Sequence, residues 1–306
     1  PTLLLGGLFP LVSRLYKAER GGVGGAVGGV YSWNTVGAIL GSFVCGFVLI
    51  GSLGLRDSLV LASVLSLLIG GMFILGEQER FKYRVIGVAG ILVLVSGFIL
   101  FRPGWEPEII NSGPYIYYRD YPRIKSSWAL KNYLKEETKT LFHKEGVEAT
   151  VSVFKLSSQK TLALRINGKT DASTSSDMTT QIFSGQLPLL LHKAPKKVMV
   201  IGLASGVTLG SVLTHPVEKV DCLEISPEVV EASRYFEAVN GRPLMDPRTN
   251  LIVNDARFHL SHTREKYDVI ISEPSNPWIG GQGLLFTKEF FEQARARLEP
   301  DGLMLI

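Results

Sequence analysis

Four apolar stretches open the chain, at about 2–13, 27–50, 58–76 and 85–101. The last three are long enough to cross a hydrocarbon core of about 30 Å, for which about 20 apolar residues suffice. The first is short and predicts the tail of a longer helix, so further chain is expected before it. A tyrosine- and proline-rich connector follows, with a short helix near 126–138. The period then changes to two. Ala149–Phe154 and Thr161–Ile166 alternate apolar and polar positions, which predicts an antiparallel pair around 157–160, with a turn at Asn167–Gly168. Residues 177–191 predict a helix.

From Lys197 short apolar runs alternate with helical ones. Strands are expected at 198–201, 220–225, 250–253, 267–271 and 303–306. Helices are expected at 207–213, 227–239, up to about 262, and 286–298. Strictly alternating strands and helices predict a parallel, doubly wound sheet. The domains are then 1–104 (about four transmembrane helices, the first incomplete), 105–140 (connector), 141–195 (a small β-stranded domain with a helix) and 196–306 (the α/β domain). The sheet is expected to continue past Ile306.

Charge divides the chain the same way. Residues 1–104 hold eight Lys and Arg against four Asp and Glu, leaving 24 of each sign in 105–306. The whole excess of +4 sits in the apolar part. A neutral C-terminal part leaves no electrostatic footprint for nucleic acid. The loops at 14–26 and 77–84 carry Arg14, Lys17, Arg20, Arg80, Lys82 and Arg84. The positive-inside rule puts them in the cytoplasm, and four spans would then leave residue 105 outside. A cytoplasmic metabolite as ligand requires the opposite, and a cytoplasmic soluble domain is the expectation. Twenty of the 32 glycines lie in residues 1–104, and Gly37, Gly41 and Gly46 fit small-residue contact between helices. The two cysteines form no metal-binding spacing, and no acidic or cysteine cluster joins His259 and His262, so no metal is expected.

Parallel sheets bind ligands outside the C-terminal ends of their strands. Here those ends carry Gly202–Leu–Ala–Ser–Gly206, then Glu224, then Asp255, then Glu273. One glycine turn followed by three acids predicts a nucleoside site. Gly202, Gly206 and Gly210 are spaced four apart, unlike the dinucleotide fingerprint. Several acids would also repel a pyrophosphate. A cationic sulfonium nucleoside fits better, with Glu224 on the ribose and Asp255 on the adenine amino group.

Residues 141–306 resemble the spermidine synthase (polyamine aminopropyltransferase) family. The motifs are NGKTDAS (167–173), DMTTQ (177–181), LPLLLHKAPKKVMVIGLASG (187–206), DCLEISPEVVEAS (221–233), NDARFHL (254–260) and YDVIISEPSNPW (267–278). Residues 1–104 are similar to the transmembrane, major-facilitator-like part of that family's membrane-fused branch, notably GGVYSWNTVGAILGSFVCGFVLIGSLGLR (28–56). The resemblance implies a small β domain before a methyltransferase-like Rossmann domain. It implies transfer of an aminopropyl group from decarboxylated S-adenosylmethionine to an amine. Carried over, Gln181, Gly202, Ser205, Gly206, Glu224, Asp255 and Ala256 would hold the nucleoside, and Glu273 would receive the attacking amine's proton. Asp177, Asn276 and Trp278 would face the acceptor.

The chain departs from the soluble members at three places. Ser205 stands for an Asp, Thr180 for a Tyr, and Glu273–Pro–Ser–Asn276 for Asp-Ser-Ser-Asp. Two carboxylates suited to cations are neutral here, which lowers the expected affinity for a plain diamine. An intact S-adenosylmethionine as donor, with methyl transfer, is one alternative reading. A non-catalytic membrane scaffold or transporter is another. The expected partners are membrane lipid, a small amine and a second copy or membrane-complex partner. The expected place is a bacterial inner membrane.

Overall fold

The computed structural model describes residues 2–20, 22–76, 81–100, 105–117, 119, 121, 126–157, 160–274, 276–278 and 281–306. The expected turn at 157–160, the basic loop at 77–84, the boundary at 104 and the loop after Glu273 each fall partly outside these residues. The chain forms two compact units, residues 1–84 and 85–306.

In the first unit, α1 spans Thr2–Arg20 and α2 spans Val23–Val44. A π-helical turn at Cys45–Leu49 leads into α3, Ile50–Gly76. The run Val23–Ile74 is long and apolar enough to cross a membrane, by length and composition. Gly54 interrupts it with φ 78° and ψ 171°, a conformation open essentially to glycine alone. The expected segments 27–50 and 58–76 lie on either side of that break. Large apolar side chains such as Phe47, Met72 and Phe73 are exposed along it. Helix α4, Phe81–Leu100, carries a shorter apolar stretch at Val85–Gly97.

The second unit takes in α4 from Val85 onward and then three short helices, α5 (Pro107–Ile110), α6 (Pro114–Tyr117) and α7 (Ser127–Glu137). A four-stranded antiparallel sheet follows in the order β1 (Thr138–Glu145), β2 (Thr150–Leu156), β3 (Thr161–Ile166), β4 (Lys169–Ser173). The sequence pattern predicts only its two middle strands, because β1 and β4 are largely half-buried and carry Lys, His, Glu and Asp among few apolar residues. The β3–β4 turn is Asn167–Gly168, with both residues at positive φ (51° and 82°), as a two-residue hairpin of this hand requires.

Helix α8 (Met178–Leu191) leads to the large sheet. Its elements are β5 (Lys197–Ile201), α9 (Val207–Leu213), β6 (Lys219–Glu224), α10 (Pro227–Ser233), α11 (Glu237–Asn240), β7 (Thr249–Val253), α12 (Ala256–His262), β8 (Tyr267–Ser272), α13 (Lys288–Ala296) and β9 (Leu298–Leu305). All strand pairs are parallel, in the order β7-β6-β5-β8-β9. The chain reverses its direction of travel across the sheet at β5, which makes the β5/β8 crevice the switch point where such sheets bind ligands.

Two predicted elements are corrected. The single helix expected at 227–239 is divided by a 3-10 turn, Arg234–Phe236, where Phe236 is fully buried. Gly241, in the left-handed region at φ 71°, ends α11. The helix expected from 286 starts at Lys288, because Thr287 caps it by accepting from the Phe290 amide.

The core has two parts. Val198, Val200, Cys222, Val269 and Ile271 on one sheet face share a core with Leu209 and Val212 of α9 and with Val151, Val153 and Leu164 of the small sheet. The small β sheet is thus packed against the α/β domain. On the other face Met199, Leu223, Tyr267 and Ile270 pack against Leu260 of α12 and Phe290 and Ala294 of α13. Buried Asp221 ties three strands together, accepting from Tyr267 Oη (2.8 Å) and Asn250 Nδ2 (2.7 Å).

Candidate active site

Strand register decides which residues share an edge. Ile201 is level with Leu223 on β6 and with Ser272 on β8, and Glu224 is level with Val253 on β7. One step beyond Ile201, Leu223 and Ser272 come Gly202, Glu224 and Glu273. Asp255 follows two residues beyond Val253 and caps α12, accepting from the Phe258 amide at 2.7 Å. These groups line one cavity of about 650 Å³ within the second unit. That is the size of an ordinary small-molecule site.

The glycine turn is built by close backbone geometry. Gly202, Ala204 and Gly206 all have positive φ (92°, 45° and 80°). Gly210 serves another purpose: a Cβ there would lie 2.0 Å from the Asn240 carbonyl oxygen. The four-residue glycine spacing therefore reflects a turn plus a close helix contact, not a phosphate cradle. Glu224 supports the turn from below. Its Oε2 accepts from the Leu203 amide and its Oε1 from the Ser226 amide, both at 2.9 Å. Burial outweighs these bonds and raises its pKa above the usual carboxylate range.

A second group of polar side chains comes from α8 and α9. Gln181 Nε2 donates to the Ser173 carbonyl and to Asp177 Oδ2, at 3.0 Å each, and Ser205 Oγ donates to Gln181 Oε1. These bonds fix which way the Gln181 amide points. Thr208 Oγ1 lies 3.0 Å from Glu273 Oε2. Glu273 lines the cavity and its side chain is exposed to it. Partial burial raises its pKa, the Thr208 bond draws it partly back, and negative Asp177 adds to the rise.

Of the residues singled out in the sequence, Gln181, Gly202, Ser205, Glu224, Asp255, Ala256 and Glu273 line the cavity. Four others do not. Gly206 sits behind the turn as the left-handed cap of α9. Asp177 is occupied by Ser173, whose amide reaches its Oδ2 at 2.6 Å and whose hydroxyl reaches Oδ1. The Asn276 amide donates to Gln282 Oε1 at 3.2 Å, and Trp278 is 78% exposed.

The cavity also takes in residues the sequence reading did not single out: Tyr115, Glu148, Lys169, Asp171, Thr208, Arg257 and Gln282 among them. Lys169 and Asp171 form an ion pair at 2.7 Å. Five acids (Glu148, Asp171, Glu224, Asp255, Glu273) face two bases (Lys169, Arg257), an excess that suits a cationic ligand.

Known proteins with this edge bear on what it binds. Residues 181–306 match the spermine/spermidine synthase domain. All three comparisons find likeness to spermidine synthases and aminopropyltransferases. A polyamine aminopropyltransferase of Thermococcus onnurineus (strain NA1) is 40% identical over 118 residues, 38% of this chain and 42% of the relative. The spermidine synthase of Dictyostelium discoideum is 32% identical over 186 residues, 60% of this chain and 64% of the relative. A crystal structure of a spermidine synthase in complex with the transition-state analogue AdoDATO superposes with a TM-score of 0.51 and 27% identity. That superposition covers 54% of this chain and 57% of the other. The chain thus spans less than two thirds of the length of each of these relatives.

Proposed function

We propose that this chain is a membrane-anchored, spermidine synthase-like transferase. It takes an adenosyl sulfonium donor, decarboxylated S-adenosylmethionine, and an amine acceptor. The observation that carries this reading is the strand register that brings Gly202, Glu224 and Glu273 level on one cavity wall, beside Asp255. The names of the relatives, aminopropyltransferase and spermidine synthase, support the same reaction.

In this mechanism the nucleoside lies along the sheet edge. Glu224 keeps lone pairs for the ribose hydroxyls, and Asp255 faces the adenine. The acceptor nitrogen forms a bond to the carbon beside the sulfonium. The carbon–sulfur bond breaks, its electron pair leaves with sulfur, and a neutral thioether nucleoside results. The proton of the attacking nitrogen passes to a Glu273 oxygen. Holding both reactants in line supplies most of the rate enhancement, and the base adds to it. A raised Glu273 pKa matches the base to this transfer.

Acceptor affinity follows from neutral Ser205, which lines the cavity as Asn276 does not. A carboxylate paired with an ammonium across 4 Å is worth about 4 kcal/mol at an effective dielectric of 20, before desolvation. Without such a partner at Ser205, a plain diamine is bound less tightly than in the soluble family members. The apolar run Val23–Ile74 supplies the membrane anchor, with the second unit on the cytoplasmic side, where the donor is. A second copy is the partner this reading favours. None of the relatives named above supports methyl transfer or a non-catalytic scaffold.

Calorimetry on the full-length chain tests the donor site. Decarboxylated S-adenosylmethionine or methylthioadenosine should bind, and Glu224→Ala should abolish binding. No heat from these ligands or from S-adenosylmethionine would overturn the reading.

A further inference from the structure

Thr208 is not among the residues that sequence reasoning picks out, and its surroundings are unusual for a helical threonine. As the second residue of α9 it has no carbonyl of its own helix four residues back to bond. Here Thr208 Oγ1 is instead 3.0 Å from the Gln181 carbonyl of α8 and 3.0 Å from Glu273 Oε2 at the end of β8. Thr208 is buried, with an exposure of 8%, while Glu273 is exposed on the cavity side. A hydroxyl has one proton to donate and can accept as well. It therefore cannot donate to both oxygens at once.

We propose that Thr208 is a positioning residue for Glu273, a hydroxyl that changes partner as the carboxylate takes up its proton. While Glu273 is ionised, Thr208 donates to it and holds one oxygen, leaving the other turned to the cavity. When the attacking nitrogen gives up its proton, Glu273 becomes a donor. Once the carboxyl turns about its Cγ–Cδ bond to bring the protonated oxygen round, it donates to Thr208 Oγ1, and the threonine proton turns to the Gln181 carbonyl. One N–H bond is lost, one carboxyl O–H bond is made, and no other proton changes owner.

The close approach that permits this is set by Gly185, where a Cβ would lie 2.7 Å from the Thr208 carbonyl oxygen and 2.6 Å from Ser211 Cβ. Several charged groups share the cavity. They are Glu148 between β1 and β2, the Lys169–Asp171 pair on β4, Glu224 on β6, and Asp255 and Arg257 at α12. Asp177, ahead of α8, is the one whose charge bears on Glu273, and it acts in the opposite direction to Thr208.

The inference rests on the reading of Glu273 as the base, so its test has one arm that needs no turnover. Thr208→Val keeps the shape and removes the hydroxyl, and Thr208→Ser keeps the hydroxyl. In the full-length protein, infrared difference spectra across a pH titration, with Glu273→Gln as the assignment control, report the Glu273 carboxyl. Thr208→Val should titrate at higher pH than wild type, and Thr208→Ser should return toward wild type.

In the kinetic arm, Thr208→Val should lower kcat near neutral pH about ten-fold and move the acidic limb of kcat/KM to higher pH, with the donor Kd within about two-fold of wild type. Thr208→Ser should recover most of that rate. An unchanged Glu273 titration in Thr208→Val, or a Ser variant as impaired as the Val variant, would overturn the proposal. A wild-type protein that releases no product would instead count against the proposed reaction, while the infrared arm would still decide what Thr208 does to Glu273.

Discussion

Glu224 and Glu273 occupy equivalent places on neighbouring sides of β5, yet their surroundings differ. Glu224 is held by two backbone amides and serves the turn as well as the ligand. Replacing it with alanine leaves the Leu203 and Ser226 amides without their acceptor, at a cost of about 1–3 kcal/mol each where they stay dry. Lost donor binding and lower stability should therefore appear together in Glu224→Ala. Glu273 has a single side-chain donor and an open face. Glu273→Gln should bind donor almost as wild type but lose about 10²–10⁴ in kcat. Because burial raises its pKa, the acidic limb of the wild-type rate profile should lie above the ordinary carboxylate range. Activity should be lost as pH falls through it, and Glu273→Gln should abolish that limb.

Both acids were legible in the sequence, because an apolar strand that stops at a carboxylate is a local pattern. Thr208 was not, since its partner Glu273 lies 65 positions away and only the pairing of β5 with β8, which sets the start of α9 beside the end of β8, brings them together. Asp177 has the opposite history. Its type and spacing suggest a ligand contact, while its oxygens are taken up by Ser173 and Gln181.

At the scale of elements, α8 and α9 form the frame of the site. Alanine at Gly185 would gain about 1 kcal/mol of helix propensity. It would also push a Cβ to 2.7 Å from a backbone carbonyl that cannot swing away. Overpacking of this kind costs about 1–3 kcal/mol, so Gly185→Ala should be net destabilising in urea unfolding and should loosen Glu273 through Thr208. The far end of α9 is pinned by Arg248, which donates to the Leu213 and His215 carbonyls at 2.8 and 3.0 Å. Asp246 orients Arg248, and that ion pair lowers the Asp246 pKa to about 2. A depressed carboxylate pKa stabilises the fold above the unfolded value near 3.8, and the contribution is lost as pH falls toward about 2. Asp246→Asn should accordingly be less stable than wild type at pH 5, and the two should converge near pH 2 in thermal melts.

The central strands β5, β6 and β8 were readable because their apolar runs are buried on both faces, whereas edge strand β9 is half-exposed and begins at Leu298, five residues before the expected 303–306. The small sheet was readable only in its middle. Edge strands β1 and β4 lack a clean alternation, and β4 becomes visible mainly through the Asn167–Gly168 turn that precedes it.

For the whole molecule, the two units have different surfaces. The first exposes large apolar side chains along Val23–Ile74, interrupted at Gly54. The second has a buried core, a mixed surface and balanced charge. On the proposed reading the first unit holds the protein in the bilayer and the second faces the donor pool. Protease added to sealed cells should therefore spare residues 105–306 and cut them only after lysis. Although the two units part between Arg84 and Val85, within α4, a division of the chain was visible near residue 104 as a change of period and of charge. The acceptor was not, because Asn276 and Trp278 stand off the cavity wall and the five acids lining it fix only the sign of the ligand's charge.

The most direct test is a turnover assay on the full-length protein with decarboxylated S-adenosylmethionine and a panel of amines, following methylthioadenosine release and the mass of the amine product. The account predicts stoichiometric methylthioadenosine and an amine heavier by one aminopropyl group, both lost in Glu273→Gln. Product that forms equally well in Glu273→Gln, or a donor that binds without ever being cleaved in the presence of any amine, would contradict it.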